Sequence, residues 1–339
     1  QSEVPYRVKP RVLLDLKRTP FPQYLPVILL IQPPIQDFYL SRIRTVPYGL
    51  AGLAACLEAA GFTVELFDAL ATAKSKPLKR PDQMTYLDAY YGRSDVSPFA
   101  LFHQYRYFGY SYQHIRKIIK ESGAFLVGIS SLFTAYSAAA LEVAAIVKTV
   151  RPVMVVVMGG HHPTALPEAA MQSEHVDFVL RGEAEASVPA LAGAIKAGTS
   201  PDKIPGIVLR QPDGSLRVSK PVWLKSLDVS PAPAMHLVKH SYYKRGSQGT
   251  AVVMASRGCP LNCSYCAFGS GSGIPYRKRS VRSIVREIET LVQNYNVGFI
   301  DFEDENLSMD RDWFLDLLTE IQKGFGQKWL ELRAMNGLF

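Results

Sequence analysis

The chain has 339 residues, 47% of them hydrophobic, and a formal net charge of +8. That length suggests about two domains with real cores. No run of about eighteen uncharged apolar residues occurs, which excludes a transmembrane helix. The longest candidate, residues 136–150, carries Glu142 and Lys148 and reads as an amphipathic helix. The positive charge admits nucleic acid or an anionic substrate, but the basic residues are dispersed, which argues against nucleic acid. The one dense group, Arg277-Lys278-Arg279 with Arg282 and Arg286, borders a predicted helix start. It reads equally as a solvated face or an anion contact. No signal-peptide pattern opens the sequence, which begins at Gln1 and reads as a trimmed piece.

Residues 1–25 are mixed, include Pro20, Phe21 and Pro22, and read as an extended arm. An α/β rhythm follows. Residues 27–31 are a continuous apolar run ended by Gln32-Pro33-Pro34, as a buried parallel strand would be. Residues 48–60 have a helix pattern closed by Gly61, which suits a left-handed cap position. Residues 63–67 form a strand ending at Asp68. Residues 69–110 are a long insertion rich in aromatics (Tyr86, Tyr90, Tyr91, Phe99, Phe102, Tyr105, Tyr107, Phe108), read either as a roof over a ligand or as a self-packed excursion. Helix 111–121, strand 125–130, helix 135–150, strand 152–158, strand 176–180 and a helix to about Lys196 complete the series. Strands alternating with helices predict a doubly wound, Rossmann-like sheet of five parallel strands in the order 2-1-3-4-5. Ligands bind such sheets beyond the carboxyl ends of the strands. Ser130, Ser131, Gly159, Gly160, His161, His162, Gly182 and Glu183 all lie there.

Residues 200–246 read as a linker with its own hairpin around Asp213-Gly214. A second α/β series occupies residues 247–339: strand 251–256, helix 280–294 with Ser280 as N-cap, strand 297–302, helix 311–323 and strand 329–335. No further strand closes that sheet, so the second domain is expected to be incomplete at its C-terminus. The expected division is therefore arm 1–25, domain 26–199 with its insertion, linker 200–246 and domain 247–339. Cys56, mid-helix among Ala and Leu, reads as a buried small hydrophobe.

The other three cysteines, Cys259, Cys263 and Cys266, follow the first strand of the second series with the spacing C-x3-C-x2-C. Clustered thiols argue for a reducing, cytoplasmic setting. Thiolates are soft ligands that suit iron–sulfur clusters and zinc. A cubane cluster takes four thiolates as a rule, so three leave one iron open to a small molecule, which points to an enzyme rather than an electron carrier. The alternative is a structural zinc site with His236 or His240 as the fourth donor, although nothing in their spacing demands it.

That cysteine run, placed between a strand and a Ser-capped helix, resembles the signature of radical S-adenosylmethionine enzymes. The resemblance implies a partial (β/α) barrel and a [4Fe–4S] cluster held by Cys259, Cys263 and Cys266. It implies an open iron that chelates S-adenosylmethionine, and reductive cleavage to a 5′-deoxyadenosyl radical with electrons from an external donor such as flavodoxin or ferredoxin. Tyr265 matches the position near the adenine; ordinary packing is its bland reading. Asp304 and Glu305 match the place of the methionine-ammonium contact, without the family's Gly-Gly-Glu form. A solvated strand end is the alternative for both.

Residues 27–199 resemble the cobalamin-binding domain that precedes the radical domain in one subgroup. The matching points are Gln32-Pro33-Pro34, Arg44 with Pro47-Tyr48-Gly49, Asp68, Gly128–Ser131, Gly159–Thr164 and Gly182–Glu185. The resemblance implies that Ser130, Ser131, Gly159, Gly160, His161, Gly182 and Glu183 contact cobalamin. The Asp-x-His-x-x-Gly motif that supplies a cobalt ligand elsewhere is missing, and that loop reads Ile35-Gln-Asp-Phe-Tyr-Leu-Ser41. The implied activity is methylation of an unactivated carbon in a small-molecule, lipid or natural-product substrate. The alternatives are cyclisation or rearrangement without methyl transfer, and a non-catalytic corrinoid or iron–sulfur carrier. The methylthiotransferases of transfer RNA carry three further cysteines that this chain lacks. No catalytic residue beyond the cofactor contacts is assigned.

Overall fold

The computed structural model describes residues 27–39, 45–89, 104–261, 263–264, 266, 273–326 and 329–336. Two compact units are drawn from interleaved segments. One comprises the chain up to Ile35, Leu57–Phe67 and Tyr110–Val222; the other comprises Gln36–Cys56, Asp68–Gly109 and the chain from Trp223 onward.

In chain order, β1 (Val27–Gln32) is an apolar run with its four central residues buried. Pro33 and Pro34 lack the N–H that would continue a ladder, so the strand stops there. β2 (Ile35–Asp37) is short. α1 (Tyr48–Ala59) ends at a turn in which Gly61 takes φ 84° and Phe62 N–H donates to Leu57 O at 3.1 Å, the closure expected there. β3 (Thr63–Asp68), β4 (Ser75–Pro77) and β5 (Arg106–Phe108) follow. α2 (Tyr112–Glu121) starts at Ser111, whose hydroxyl accepts from His114 N. β6 (Leu126–Ser130), α3 (Ser137–Val150), β7 (Val155–Gly159), the single turns α4 (His161–Ala165) and α5 (Pro167–Met171), β8 (Phe178–Leu180) and α6 (Ser187–Ala197) continue the alternation. β9 (Ile207–Arg210) and β10 (Leu216–Val218) form the expected hairpin.

The first unit's sheet has the order β10-β9-β8-β7-β6-β1-β3. β1, β6, β7 and β8 pair in parallel, with β3 beside β1. Its five α/β strands thus stand in the doubly wound order 2-1-3-4-5. The hairpin is part of this sheet, because β9 pairs antiparallel with β8. Arg210 fixes it by donating to the carbonyls of Met171, Ser173 and Val176, which lie in and after α5.

The second unit begins its sheet with β11 (Lys244–Arg245) and β12 (Gln248–Val253). β13 (Ser256–Arg257) and β14 (Arg277–Lys278) form a separate two-stranded ladder. α7 (Val281–Tyr295), β15 (Val297–Phe302), α8 (Arg311–Phe325) and β16 (Glu331–Ala334) complete the described chain. The order is β11-β12-β15-β16, with β12, β15 and β16 parallel, as in a β/α barrel segment. Ser280 caps α7 by accepting from Ser283 N, and Asp310 caps α8 by accepting from Trp313 N. Ile284, Ile288 and Leu291 of α7 and Leu317, Ile321 and Phe325 of α8 share a core with Ile300 and Phe302 of β15. Tyr48 and Ala51 of α1 join that core.

The insertion contributes β4 and β5, which pair with each other antiparallel, and β2 lies beside β5. The loop after β1 is thereby tied to the insertion: Tyr105 donates to Gln36 at 3.3 Å, and Phe38 stacks obliquely on the Tyr105 ring at 5.1 Å. Tyr86 is exposed. Tyr90, Tyr91, Phe99 and Phe102 lie outside the described residues.

Candidate functional site

The cysteine loop leaves the carboxyl end of β12, the end at which β/α barrels carry their chemistry. Its two ends are tied by the β13–β14 ladder, which pairs Ser256 with Lys278 and Arg257 with Arg277. Gly258, just inside that ladder, takes φ 81°, and a Cβ there would collide with the Pro275 carbonyl. Glycine is therefore required at this turn. Cys259 and Cys263 are half-buried and Cys266 is exposed; none of the three is in a disulfide. Tyr265, Gly269 and Gly271 lie outside the described residues.

Directly beyond β15 stands Asp304, which is 1% exposed. One carboxylate oxygen accepts from Ala255 N at 3.2 Å. The other accepts from Ser256 N and from the Ser256 hydroxyl, the latter at 2.6 Å. Burial pushes the Asp304 carboxyl up to about 6 against these donors. Glu305 accepts from Gly258 N at 3.0 Å. Both acids thus meet the stem of the cysteine loop. Glu303 is raised by burial and by the Asp301 charge, while Asp301 is paired with Arg333.

Ser256 was not singled out by sequence reasoning. Its only signal is its place three residues ahead of Cys259. The basic run resolves into separate partners. Arg277 donates to Leu224 O at 2.7 Å and Lys278 pairs with Asp310. Arg279 pairs with buried Glu287 at 2.6 Å. His240 stacks on Tyr295 and contacts Met235 O at 2.7 Å.

In the first unit, the expected ligand edge brings two loops together. Ser131 N–H donates to Gly159 O at 2.8 Å, and His162 N–H donates to Ser131 O at 3.2 Å. Gly160 has φ 116° and lies so close to Ser131 O that a side chain would not fit. Thr164 reaches the next strand end, its hydroxyl accepting from Gly182 N at 2.9 Å. The imidazole of His162 is buried against Thr134 at 3.2 Å, and burial lowers its pKa. His161 is exposed; Ser130 and Glu183 are half-buried. Among the described residues, the buried hydroxyl of Ser131 has no hydrogen-bond partner, an exception that calls for an explanation such as a water or a bound group. Exposed Leu132, Phe133 and Leu166 lie on the same loops.

The donor chemistry fits a cluster with an open iron: three thiols on one pinned loop and no fourth cysteine nearby in sequence. Among the described residues, no three His, Cys, Asp or Glu side chains form a ready-made single-ion site. A polynuclear cluster spreads its thiolates over several irons and does not need such a point. The first unit's edge fits a bulky cofactor tail, with a buried unpaired hydroxyl, close glycine packing and an apolar rim.

A doubly wound sheet with an open ligand edge and a separate β/α unit carrying a three-cysteine loop define a two-cofactor α/β protein. Residues 101–192 match the B12 binding domain family and residues 253–333 match the radical SAM superfamily. The chain belongs to the radical SAM proteins that carry a B12-binding domain. It is 31% identical over 233 residues to an uncharacterized methyltransferase of Pyrococcus horikoshii, covering 67% of this chain and 50% of that protein. It is 27% identical over 333 residues to the cytidylyl-2-hydroxyethylphosphonate methyltransferase of Streptomyces wedmorensis, covering 89% of this chain and 59% of that one. The chain therefore spans little more than half the length of these relatives. The radical S-adenosylmethionine methyltransferase TsrM of Kitasatospora setae, solved with tryptophan and a cosubstrate analogue, shares the fold. The TM-score is 0.61 at 22% identity, over 90% of this chain and 54% of that one. A second TsrM structure contains cobalamin and a [4Fe–4S] cluster. No helix among the described residues is long and apolar enough to cross a membrane.

Proposed function

We propose that this protein is a cobalamin-dependent radical S-adenosylmethionine methyltransferase acting on an unactivated carbon of a small molecule. The carrying observation is the pinned three-cysteine loop at the end of β12, on a chain that also carries a B12-binding fold. When bound, the cluster supplies an electron and an open iron for the cosubstrate, and cobalamin supplies a methyl carrier. Cys259, Cys263 and Cys266 hold the cluster as thiolates. Asp304 and Glu305 set the loop stem, and Tyr265 flanks the cosubstrate. Ser130, Ser131, Gly159, Gly160, His161, Gly182 and Glu183 would receive cobalamin. His162 braces Ser131 through its backbone N–H. Electrons come from an external flavodoxin or ferredoxin in a reducing, cytoplasmic setting.

The test is anaerobic reconstitution with iron, sulfide and hydroxocobalamin, followed by product analysis. Methyl transfer predicts S-adenosylhomocysteine alongside 5′-deoxyadenosine once substrate is supplied. 5′-Deoxyadenosine alone would instead indicate cyclisation or rearrangement. Cys263→Ala is expected to abolish both the cluster spectrum and 5′-deoxyadenosine formation while corrin absorbance is retained. Undiminished 5′-deoxyadenosine from that variant would contradict the assignment.

A further inference from the structure

We infer that Asp304 is a positioning residue that holds the stem of the cysteine loop in place, and that it makes no contact with the cosubstrate. The inference rests on reading that loop as the cluster site. Both Asp304 oxygens are already engaged by Ala255 N, Ser256 N and the Ser256 hydroxyl. At 1% exposure the carboxylate has no open face toward a ligand. Burying a carboxylate is costly unless it is fully hydrogen-bonded, and the geometry gives the reason for keeping one here. A carboxylate accepts at both oxygens, whereas an amide in the same place would turn a donor toward Ala255 N–H or Ser256 N–H. Glu305 extends the clamp by one residue through Gly258 N at 3.0 Å. Residues 255–258 are thus held by the segment just beyond β15, immediately ahead of Cys259, so the first thiol is placed by protein before any metal arrives. A solvated strand end would leave these carboxylates in water; Asp304 is not.

The four cysteines provide the test in the metal-free full chain, by mass-spectrometric mapping of alkylation rates at pH 8. Exposed Cys266 reports intrinsic reactivity, and buried Cys56 reports global unfolding. Asp304→Asn is expected to speed alkylation of half-buried Cys259 by about tenfold, as befits loss of hydrogen bonds to a charged acceptor. Cys56 should stay protected and Cys266 unchanged. If Asp304→Asn fails to fold, Ser256→Ala, which removes one of the three bonds, should give a smaller increase at the same cysteine. In reconstituted Asp304→Asn, cluster yield should fall, but the clusters that do form should respond to the same cosubstrate concentration in their electron paramagnetic resonance signal. Wild-type alkylation rates in both variants, or a weakened cosubstrate response with normal cluster yield, would overturn the inference and put Asp304 on the cosubstrate. Failure of the wild-type protein to take up a four-iron cluster would instead refute the cluster reading, and the alkylation rates would still judge Asp304.

Discussion

Tyr243 is fully buried, and its hydroxyl donates to the carboxylate of Asp68. The other Asp68 oxygen accepts from Leu70 N at 2.8 Å. Burial raises the Asp68 carboxyl from an ordinary 3.8 to about 6, against the lowering effect of these bonds. Burial, then the Asp68 charge, drives the Tyr243 phenol far above its usual value. Because the folded carboxyl titrates above the unfolded one, its contribution favours the folded state fully below 3.8 and is lost as pH rises through about 6. Tyr243→Phe removes a hydrogen bond to a charged acceptor, so it should destabilise by about 2 kcal/mol above that range. The loss should be smaller at pH 5, where a further raised Asp68 is protonated. Denaturant midpoints at pH 5 and pH 8 check this, and equal losses at both would contradict it. Neither partner advertised the pairing. They are 175 residues apart in the chain; Asp68 stood out only as a strand end within the cobalamin-binding resemblance, and Tyr243 lies in the stretch that reads as a linker.

Among the elements, those with continuous apolar runs or helical spacing were legible. β1, β6 and β7 are buried on both faces and so read as uninterrupted apolar segments. α7 announces itself through Ser280 and an apolar stripe ending at Asn296, which takes the left-handed cap conformation with φ 52°. β4, with the sequence Ser-Lys-Pro, has no alternation and a proline, and pairing with β5 alone makes it a strand. The hairpin β9–β10 was legible as a hairpin, but its docking was not, because that depends on Arg210 meeting the carbonyls of Met171, Ser173 and Val176, in and after α5. Arg210→Met keeps most of the apolar stem and removes the donors. It should cost about 2 kcal/mol, in line with hydrogen bonds from a charged group. It should also speed amide exchange in β9 and β10 ahead of β6. Unchanged exchange in the hairpin would show that strand pairing alone holds it.

At the scale of the whole molecule, sequence order and spatial grouping part company. The front of α1 and the insertion strands belong to the same compact unit as the cysteine loop, while the hairpin beyond residue 200 belongs to the first unit. A linear reading draws boundaries where composition shifts, and no composition shift marks Cys56 or Asp68. The candidate site was more legible than these boundaries. Three thiols within eight residues stand out by their spacing, and Ser131, Gly159 and Gly160 by their small size at strand ends. The supporting groups were not legible in the same way. Asp304 was visible as an acid, yet its part in holding Ser256 emerges only when β15 lies beside β12.

The account depends on the cysteine loop holding a [4Fe–4S] cluster with one iron open to S-adenosylmethionine. The most direct measurement is electron paramagnetic resonance of the anaerobically reconstituted and reduced protein, with and without S-adenosylmethionine, alongside metal analysis. A cluster with one open iron predicts about four irons per chain and a signal that shifts when the cosubstrate is added. A single zinc with four protein donors, or a cluster signal indifferent to S-adenosylmethionine, would contradict it.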